Sequence, residues 1–278
     1  METTLTFAFL GTGSMNGAIL TGLLDEGSLV GSIRATTRST ASAEVLSSGR
    51  VEARSVESDE GANRWAVTGA DVVVLGVKPA GIVDVLTDIR DALSPDALII
   101  SVAAGVTLAT MQSVVSNPIV RAMPNTPALV GMGVTGVAAA DAVSPANLDL
   151  ARRVFQTVGV VMQLPESQID ALSTISGSGP AYVFHAIEQW TLAAERLGFS
   201  HVEARALVEG TFAGSTRLLQ ESGVEPAELR RRVTSPKGTT ERAIAVLDAA
   251  QLADVYEAAA RAALARAAEI AAENAAKR

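Results

Sequence analysis

The chain has no cysteine, which excludes disulfides, a thiol nucleophile and any thiolate-bound metal or iron–sulfur centre. Histidine is nearly absent too. His185 and His201 stand alone, with no cluster of further ligands beside either, so no metal site is expected. No uninterrupted apolar run approaches the roughly 20 residues that a membrane helix needs. The opening residues carry Glu2 and no basic stretch before the first apolar run, so no secretory leader is expected and the protein reads as cytoplasmic. Positive charge is scarce: 22 Lys and Arg face 30 Asp and Glu, a formal net charge of −8. Such a chain lacks the field that collects phosphates, so nucleic acid and membrane surfaces are not expected partners. The one basic run, Arg230-Arg231-Arg232, reads as a solvated helix end.

What is present divides in two. At roughly 100–200 residues per domain, the 278 residues suggest two domains. From Leu5 to about Gln163, short β-branched runs alternate with helical stretches, the pattern of βαβ units around a parallel sheet. The expected strands are Leu5–Leu10, Ile33–Thr37, Asp71–Val77, Leu98–Val102, Ile119–Ala122, Val134–Ala139 and Val158–Gln163. Val72-Val73-Val74-Leu75 and Leu98-Ile99-Ile100 are continuously apolar, as strands covered on both faces should be. Past Pro165 the chain turns rich in Ala, Leu, Glu and Arg with helical periodicity. Helices are expected at about Glu166–Ser176, Gly179–Leu197, Ser200–Ser222, Pro226–Val233, Thr239–Ala249 and Leu252–Ala275. Their many alanines permit close helix approach, so this half could carry a dimer interface.

After the first strand comes Gly11-Thr12-Gly13-Ser14-Met15-Asn16-Gly17, opening a helix. Glycines at 11 and 13 permit a tight turn and a close approach of backbone to a pyrophosphate, and the helix start offers free N–H groups. The context, strand then turn then helix at the head of an α/β half, favours a dinucleotide site with Gly11, Gly13, Ser14 and Met15 against the cofactor. The expected fold is therefore α/β: a Rossmann-type, doubly wound, mostly parallel sheet over residues 1–164, then an all-α domain over 165–278. One departure stands out: the third glycine position is Asn16, so helix-to-strand packing has to accommodate a small polar side chain. At the end of the second strand, where an NAD site presents a carboxylate to the ribose, the chain has Thr36-Thr37-Arg38-Ser39. Hydroxyls and a guanidinium suit a 2′-phosphate, so Thr37 and Arg38 favour NADPH, with NADH still possible. Arg38 could equally be a solvated loop cation.

Four further segments, in order and spacing, resemble pyrroline-5-carboxylate reductase over nearly the whole chain. They are Val77-Lys78-Pro79; Ser101 to Thr107 with Arg121 to Ala128; Ser176-Gly177-Ser178-Gly179-Pro180-Ala181-Tyr182; and Val233 to Thr240. The resemblance implies reduction of a cyclic imine to proline, with Val77, Lys78, Pro79, Ala103, Ala104, Asn125 and Asn63 near the cofactor. It also implies that Ser235, Gly238, Thr239 and Thr240 line a pocket for the substrate carboxylate, with the Thr240 hydroxyl near the ring nitrogen as the catalytic contact. A homodimer through the helical domain, or a larger ring of dimers, follows from the same likeness. Each segment also has a plain structural reading. Lys78 could be a solvated strand end, Ala103-Ala104-Gly105 ordinary packing, and Pro124 to Pro127 a rigid turn. Where the family often has glycine this chain has Lys237, which bears on the backbone of the loop.

Two rival functions fit parts of the pattern. A β-hydroxyacid dehydrogenase would place a catalytic lysine on the helix after Ser176–Pro180, yet that helix has none. A non-catalytic NADP sensor would not need a loop such as Ser235–Thr240. Histidine is a residue type that can serve as a general acid, but a lone, buried or half-buried structural histidine is the reading expected of His185.

Overall fold

The computed structural model describes residues 4–276. The first part of the chain runs β1 (Leu5–Leu10), α1 (Ser14–Glu26), β2 (Val30–Thr37), α2 (Thr40–Leu46), β3 (Val51–Ser55), α3 (Ala62–Val67), β4 (Val72–Leu75) and α4 (Ile82–Ile89). It continues through β5 (Leu98–Ser101), α5 (Leu108–Gln112), β6 (Ile119–Met123), β7 (Gly133–Ala139), α6 (Pro145–Gln156), β8 (Gly159–Gln163) and α7 (Ile169–Leu172). The remainder is helical: α8 (Gly179–Arg196), α9 (His201–Ser222), α10 (Pro226–Arg232), α11 (Thr239–Ala249) and α12 (Leu252–Ala276).

The strands form one eight-stranded sheet in the order β3-β2-β1-β4-β5-β6-β7-β8. Neighbours are parallel except β6 and β7, which run antiparallel. Strand side chains alternate between faces, so β1 divides its residues. Phe7 and Phe9 join Ile19 and Leu23 of α1 and Phe155 of α6 in one core. Ala8 and Leu10 join Ala66 of α3, Ile82 and Leu86 of α4 and Met111 of α5 in the other. Helices thus cover both faces, and this is why β4 and β5 are fully buried along their length. Each large aliphatic or aromatic side chain buried this way contributes about 1.5–3 kcal/mol.

Three expectations change. β3 went unseen because it is a short edge strand whose sequence, Val51-Glu52-Ala53-Arg54-Ser55, has no apolar run. β4 stops at Leu75 instead of Val77, because Gly76 bonds back to Leu10 and the chain then turns. The helix expected over Glu166–Ser176 is three short pieces, a 3₁₀ turn Glu166–Gln168, α7 and a π-helical turn Ser173–Gly177.

The described chain falls into two compact units, one reaching Ser178 together with the stretch from Ala263, the other Gly179–Ala262. The first runs past residue 164 because Arg121 of β6 holds Glu166 and Asp170 against the sheet. In the second, α8 and α9 pack through the edge-to-face pair Trp190 and Phe212, 5.7 Å between centroids, around buried Ala194, Ala204 and Val208. Ser200 and Glu203 close a capping box at the start of α9. Much apolar surface stays open there, including Phe184, Leu197, Val202 and Val246. Among the described residues, no helix is long and apolar enough to cross a membrane.

Candidate active site

Strand order reverses at β1: β2 lies on one side and β4 on the other. In an open α/β sheet the crevice at that reversal, outside the carboxyl ends of the strands, is where ligands bind. The carboxyl ends of β1, β2, β4, β5 and β6 lead directly into Gly11, Arg38, Gly76-Val77-Lys78, Val102-Ala103 and Pro124-Asn125. The cofactor residues expected from sequence, from Gly11 to Asn125, all lie in the first unit; the loop expected to bind substrate is in the second.

Gly11 is required twice over. Its φ is +73°, and a Cβ there would lie 2.6 Å from Val77 Cγ1. At Gly13, by contrast, a Cβ would meet no protein atom within 4 Å, leaving open space in front of the turn. Helix α1 begins with no side-chain cap and no acidic residue in its first turn, so its initial N–H groups remain available to an anion. These features suit a pyrophosphate. An open cavity of about 400 Å³ runs from Thr12, Gly13 and Gly17 past Thr37 to Ser42.

The turn is held from β2. Thr36, 1% exposed, accepts from the Gly11 N–H at 3.1 Å and donates to Asn63 Oδ1 at 3.0 Å, while its own carbonyl accepts from Thr12 N at 2.7 Å. Asn63 therefore braces the glycine turn through Thr36 and keeps its amide N–H group for another partner. The bracing role of Thr36 escaped the sequence reading, because a hydroxyl at a strand end looks the same whether it faces solvent or a turn. Thr37 is buried and donates to Ser39 O at 2.9 Å. Arg38 is exposed, and among the described residues no carboxylate lies within ion-pair distance of it. Its carbonyl is pinned by Ser55 Oγ at 2.7 Å, so the backbone is fixed while the guanidinium is not.

Lys78 is likewise exposed and unpaired among the described residues, just before Pro79 opens a 3₁₀ turn. Ala103 and Ala104 part company: Ala103 belongs to the core under α4 and α5, and Ala104 is exposed. Asn125, 6% exposed, uses its whole side chain inside the protein. Its Oδ1 accepts from Val134 N at 2.8 Å and its Nδ2 donates to Ser176 O at 3.0 Å. What Asn125 offers a cofactor is thus a fixed loop rather than a free amide.

Below this loop lies an ion cluster that the sequence did not reveal. Arg121, 2% exposed, reaches Asp170 at 2.5 Å and Glu166 at 3.4 Å, and Glu166 also accepts from Leu108 N at the start of α5. The available signal was an arginine inside the apolar run of β6, which can be buried only if paired. Its partners, 45 and 49 positions away, gave no sign.

In the second unit, Thr234 to Thr240 joins α10 to α11. Gly238 N donates to Ser235 O at 3.0 Å, and a Cβ at Gly238 would crowd that oxygen at 2.9 Å. Lys237 takes φ +61°, and its N–H is satisfied by Glu241 Oε2 at 2.9 Å. The start of α11 has no side-chain cap, and among the described residues the hydroxyls of Ser235, Thr239 and Thr240 make no hydrogen bond. Ser235, Thr239 and Thr240 are exposed and Gly238 half-buried, so the loop presents hydroxyls and helix-start N–H groups together, a combination suited to a carboxylate. The basic run sits in the last turn of α10, where hydrogen bonds from Arg231 and then Arg232 lower the Glu228 carboxyl from 4.5 to about 2. His185 corrects its expectation: it is 69% exposed on α8, 3.6 Å from Glu188, and not buried.

Comparison with known proteins follows the same division. Residues 166–270 match the family described as pyrroline-5-carboxylate reductase dimerisation, and residues 6–105 match NADP oxidoreductase, coenzyme F420-dependent. The pyrroline-5-carboxylate reductase of Pseudomonas aeruginosa is 42% identical over 267 residues, covering 95% of this chain and 96% of its own. A structure of the Coxiella burnetii pyrroline-5-carboxylate reductase superposes with a TM-score of 0.89 at 38% identity, over 96% of this chain and 98% of that one. The Plasmodium falciparum pyrroline carboxylate reductase, solved with NADP bound, superposes with a TM-score of 0.80 at 26% identity, over 95% and 97%.

Proposed function

The chain belongs to the pyrroline-5-carboxylate reductase family, and we infer from that membership that it carries out the NAD(P)H-dependent reduction of 1-pyrroline-5-carboxylate to L-proline, the last step of proline biosynthesis. It is an oxidoreductase acting on a CH–NH bond. The observation that carries the reading is the full-length match to proteins of that name, in a chain holding both an uncapped dinucleotide turn and the hydroxyl-rich loop at α11.

The residue roles are our proposal. Gly11, Gly13, Ser14 and Met15 hold the pyrophosphate, Thr37 and Arg38 a 2′-phosphate, and Asn63 a ribose. Val77, Lys78, Pro79, Ala103, Ala104 and Asn125 form the wall beside the nicotinamide. The bound cofactor supplies hydride to C5 of the imine, whose nitrogen is readily protonated and becomes the amine of proline. No strong protein acid is then required, and the protein acts mainly by orientation, which can supply about 7–11 kcal/mol when two reactants are held in contact. Ser235, Gly238 and Thr239 hold the substrate carboxylate, and the Thr240 hydroxyl bonds the ring nitrogen. We assign nucleotide binding to residues 1–164 and substrate binding with dimerisation to 165–278; the span of the dimerisation match supports the second assignment.

NADPH as the preferred donor belongs to the same proposal, supported by the guanidinium of Arg38, which has no ion-pair partner among the described residues, and by the lack of a carboxylate at the end of β2. The chain carries a dimerisation domain, and a homodimer or ring of dimers would cover the open apolar face of α8 and α9. A cytoplasmic location fits the cysteine-free, acidic composition. The test is to follow nicotinamide absorbance with 1-pyrroline-5-carboxylate, supplying NADPH and NADH in parallel. Proline formed faster with NADPH supports the reading. Cofactor binding without turnover refutes the reaction, and equal rates with both donors refute the role of Arg38.

A further inference from the structure

Asn16 stands in the first turn of α1, where a dinucleotide-binding turn ordinarily has the glycine that lets its helix lie close to the sheet. The side chain is 1% exposed. Its Nδ2 faces two main-chain carbonyls, Leu10 O at 3.3 Å and Val74 O at 3.5 Å, at the ends of β1 and β4. Its Oδ1 is buried and, among the described residues, has no hydrogen-bond partner. Across from it lies Gly76, where a Cβ would sit 2.4 Å from Asn16 Cγ and Nδ2. The space that the helix glycine usually vacates has been vacated on the strand side instead.

We propose that Asn16 and Gly76 form an interlocked pair that positions the cofactor-binding turn, Asn16 being a positioning residue for cofactor and not a contact to it. Leu10 O accepts from Gly76 N at 2.8 Å as well as from the Asn16 amide, so one carbonyl gathers β1, α1 and the end of β4. The next residue is Gly11, already in close approach to Val77, so a shift at Leu10 is passed straight to the turn. A buried, unsatisfied oxygen opposes folding, which makes a purely stabilising role a poor account of an amide at this place. Either half of the pair alone is unsuitable: Asn16 requires the missing side chain at 76, and glycine at 76 without Asn16 leaves a gap under the turn.

The proposal rests on the reading that Gly11 to Met15 binds the nicotinamide cofactor, and a double-mutant cycle separates the two. Full-length wild type, Asn16→Gly, Gly76→Ala and the double variant are titrated with NADPH, followed by its fluorescence, and assayed for kcat and both KM values. Gly76→Ala alone is expected to weaken NADPH binding at least about tenfold, and Asn16→Gly about three- to tenfold. In the Asn16→Gly background the alanine at 76 costs less than about twofold, and kcat and the KM for 1-pyrroline-5-carboxylate change less than about twofold throughout. If Gly76→Ala yields no soluble protein, recovery of soluble, NADPH-binding protein in the double variant is the same coupling, and loss of both overturns the pair. Equal losses from Gly76→Ala in both backgrounds overturn it, as does a change confined to melting temperature. Wild type that does not bind NADPH overturns the cofactor reading, and the proposal with it.

Discussion

Replacing Arg121 by alanine removes a buried cation, the one that pairs Glu166 and Asp170 among the described residues, and leaves both carboxylates without it. Hydrogen bonds to charged groups contribute about 1.5–3 kcal/mol each, so the two contacts together have an upper value of about 3–6 kcal/mol. The abandoned carboxylates are 31% and 48% exposed, so water takes over part of the role, and about half is a sound discount. A net loss of about 1.5–3 kcal/mol corresponds to about 3–12 °C in melting temperature for a unit of this size. Differential scanning calorimetry at fixed protein concentration reads it, since assembly makes the midpoint concentration-dependent. Arg121→Lys keeps the charge but loses the forked geometry and falls between. In an Asp170→Asn background the alanine variant should cost distinctly less. A fall under about 2 °C for Arg121→Ala, or the same fall in both backgrounds, would refute the claim that this cluster fastens the segment after residue 165 to the sheet.

Gly11→Ala forces an L side chain into φ +73° against Val77, and it should weaken NADPH binding at least about tenfold with the circular dichroism spectrum unchanged. Lys237→Gly relieves the left-handed backbone of the loop between α10 and α11 and should raise stability by about 0.5–1 kcal/mol in urea unfolding; a loss of stability would contradict the assigned conformation. For Glu228 the folded carboxyl is held below its unfolded value, so its contribution is complete above pH 4.5 and is lost as pH falls through about 2. Glu228→Gln should therefore flatten the melting temperature against pH across that window, and an unchanged profile would count against the Arg231 and Arg232 clamp.

The parts of the fold legible in sequence were those governed by local rules. β1 and α11 fall where they were expected because the glycine turn bounds the strand and Gly238 bounds the helix. β4 and β5 announced themselves as unbroken apolar runs, since a strand covered on both faces has no polar alternation to confuse it. β3 was hidden for the converse reason: an edge strand of five residues with three polar ones carries no period that distinguishes it from a loop. In the candidate site, the strained glycine turn at Gly11 could be read, while the partners of Thr36, Arg121 and Asn125 could not, because each bond spans 25 residues or more or depends on which way a strand runs. His185 was misplaced since one residue on a helix does not reveal which face turns outward.

The reversal of β7 changes the polarity of the sheet's rim. Parallel strands ending side by side all present carbonyl oxygens to the crevice, but a strand that starts there presents N–H groups. At Val134 the chain therefore offers a donor on an edge otherwise rich in acceptors, and the turn at Ser176 offers an acceptor in return. A side chain that joins the two must accept at one end and donate at the other. Asparagine does both; aspartate would set two oxygens face to face at Ser176, and a hydrophobic residue would strand both groups. The direction of one strand thus selects the amide at 125, and with it the stiffness of the loop against which a nicotinamide ring would rest.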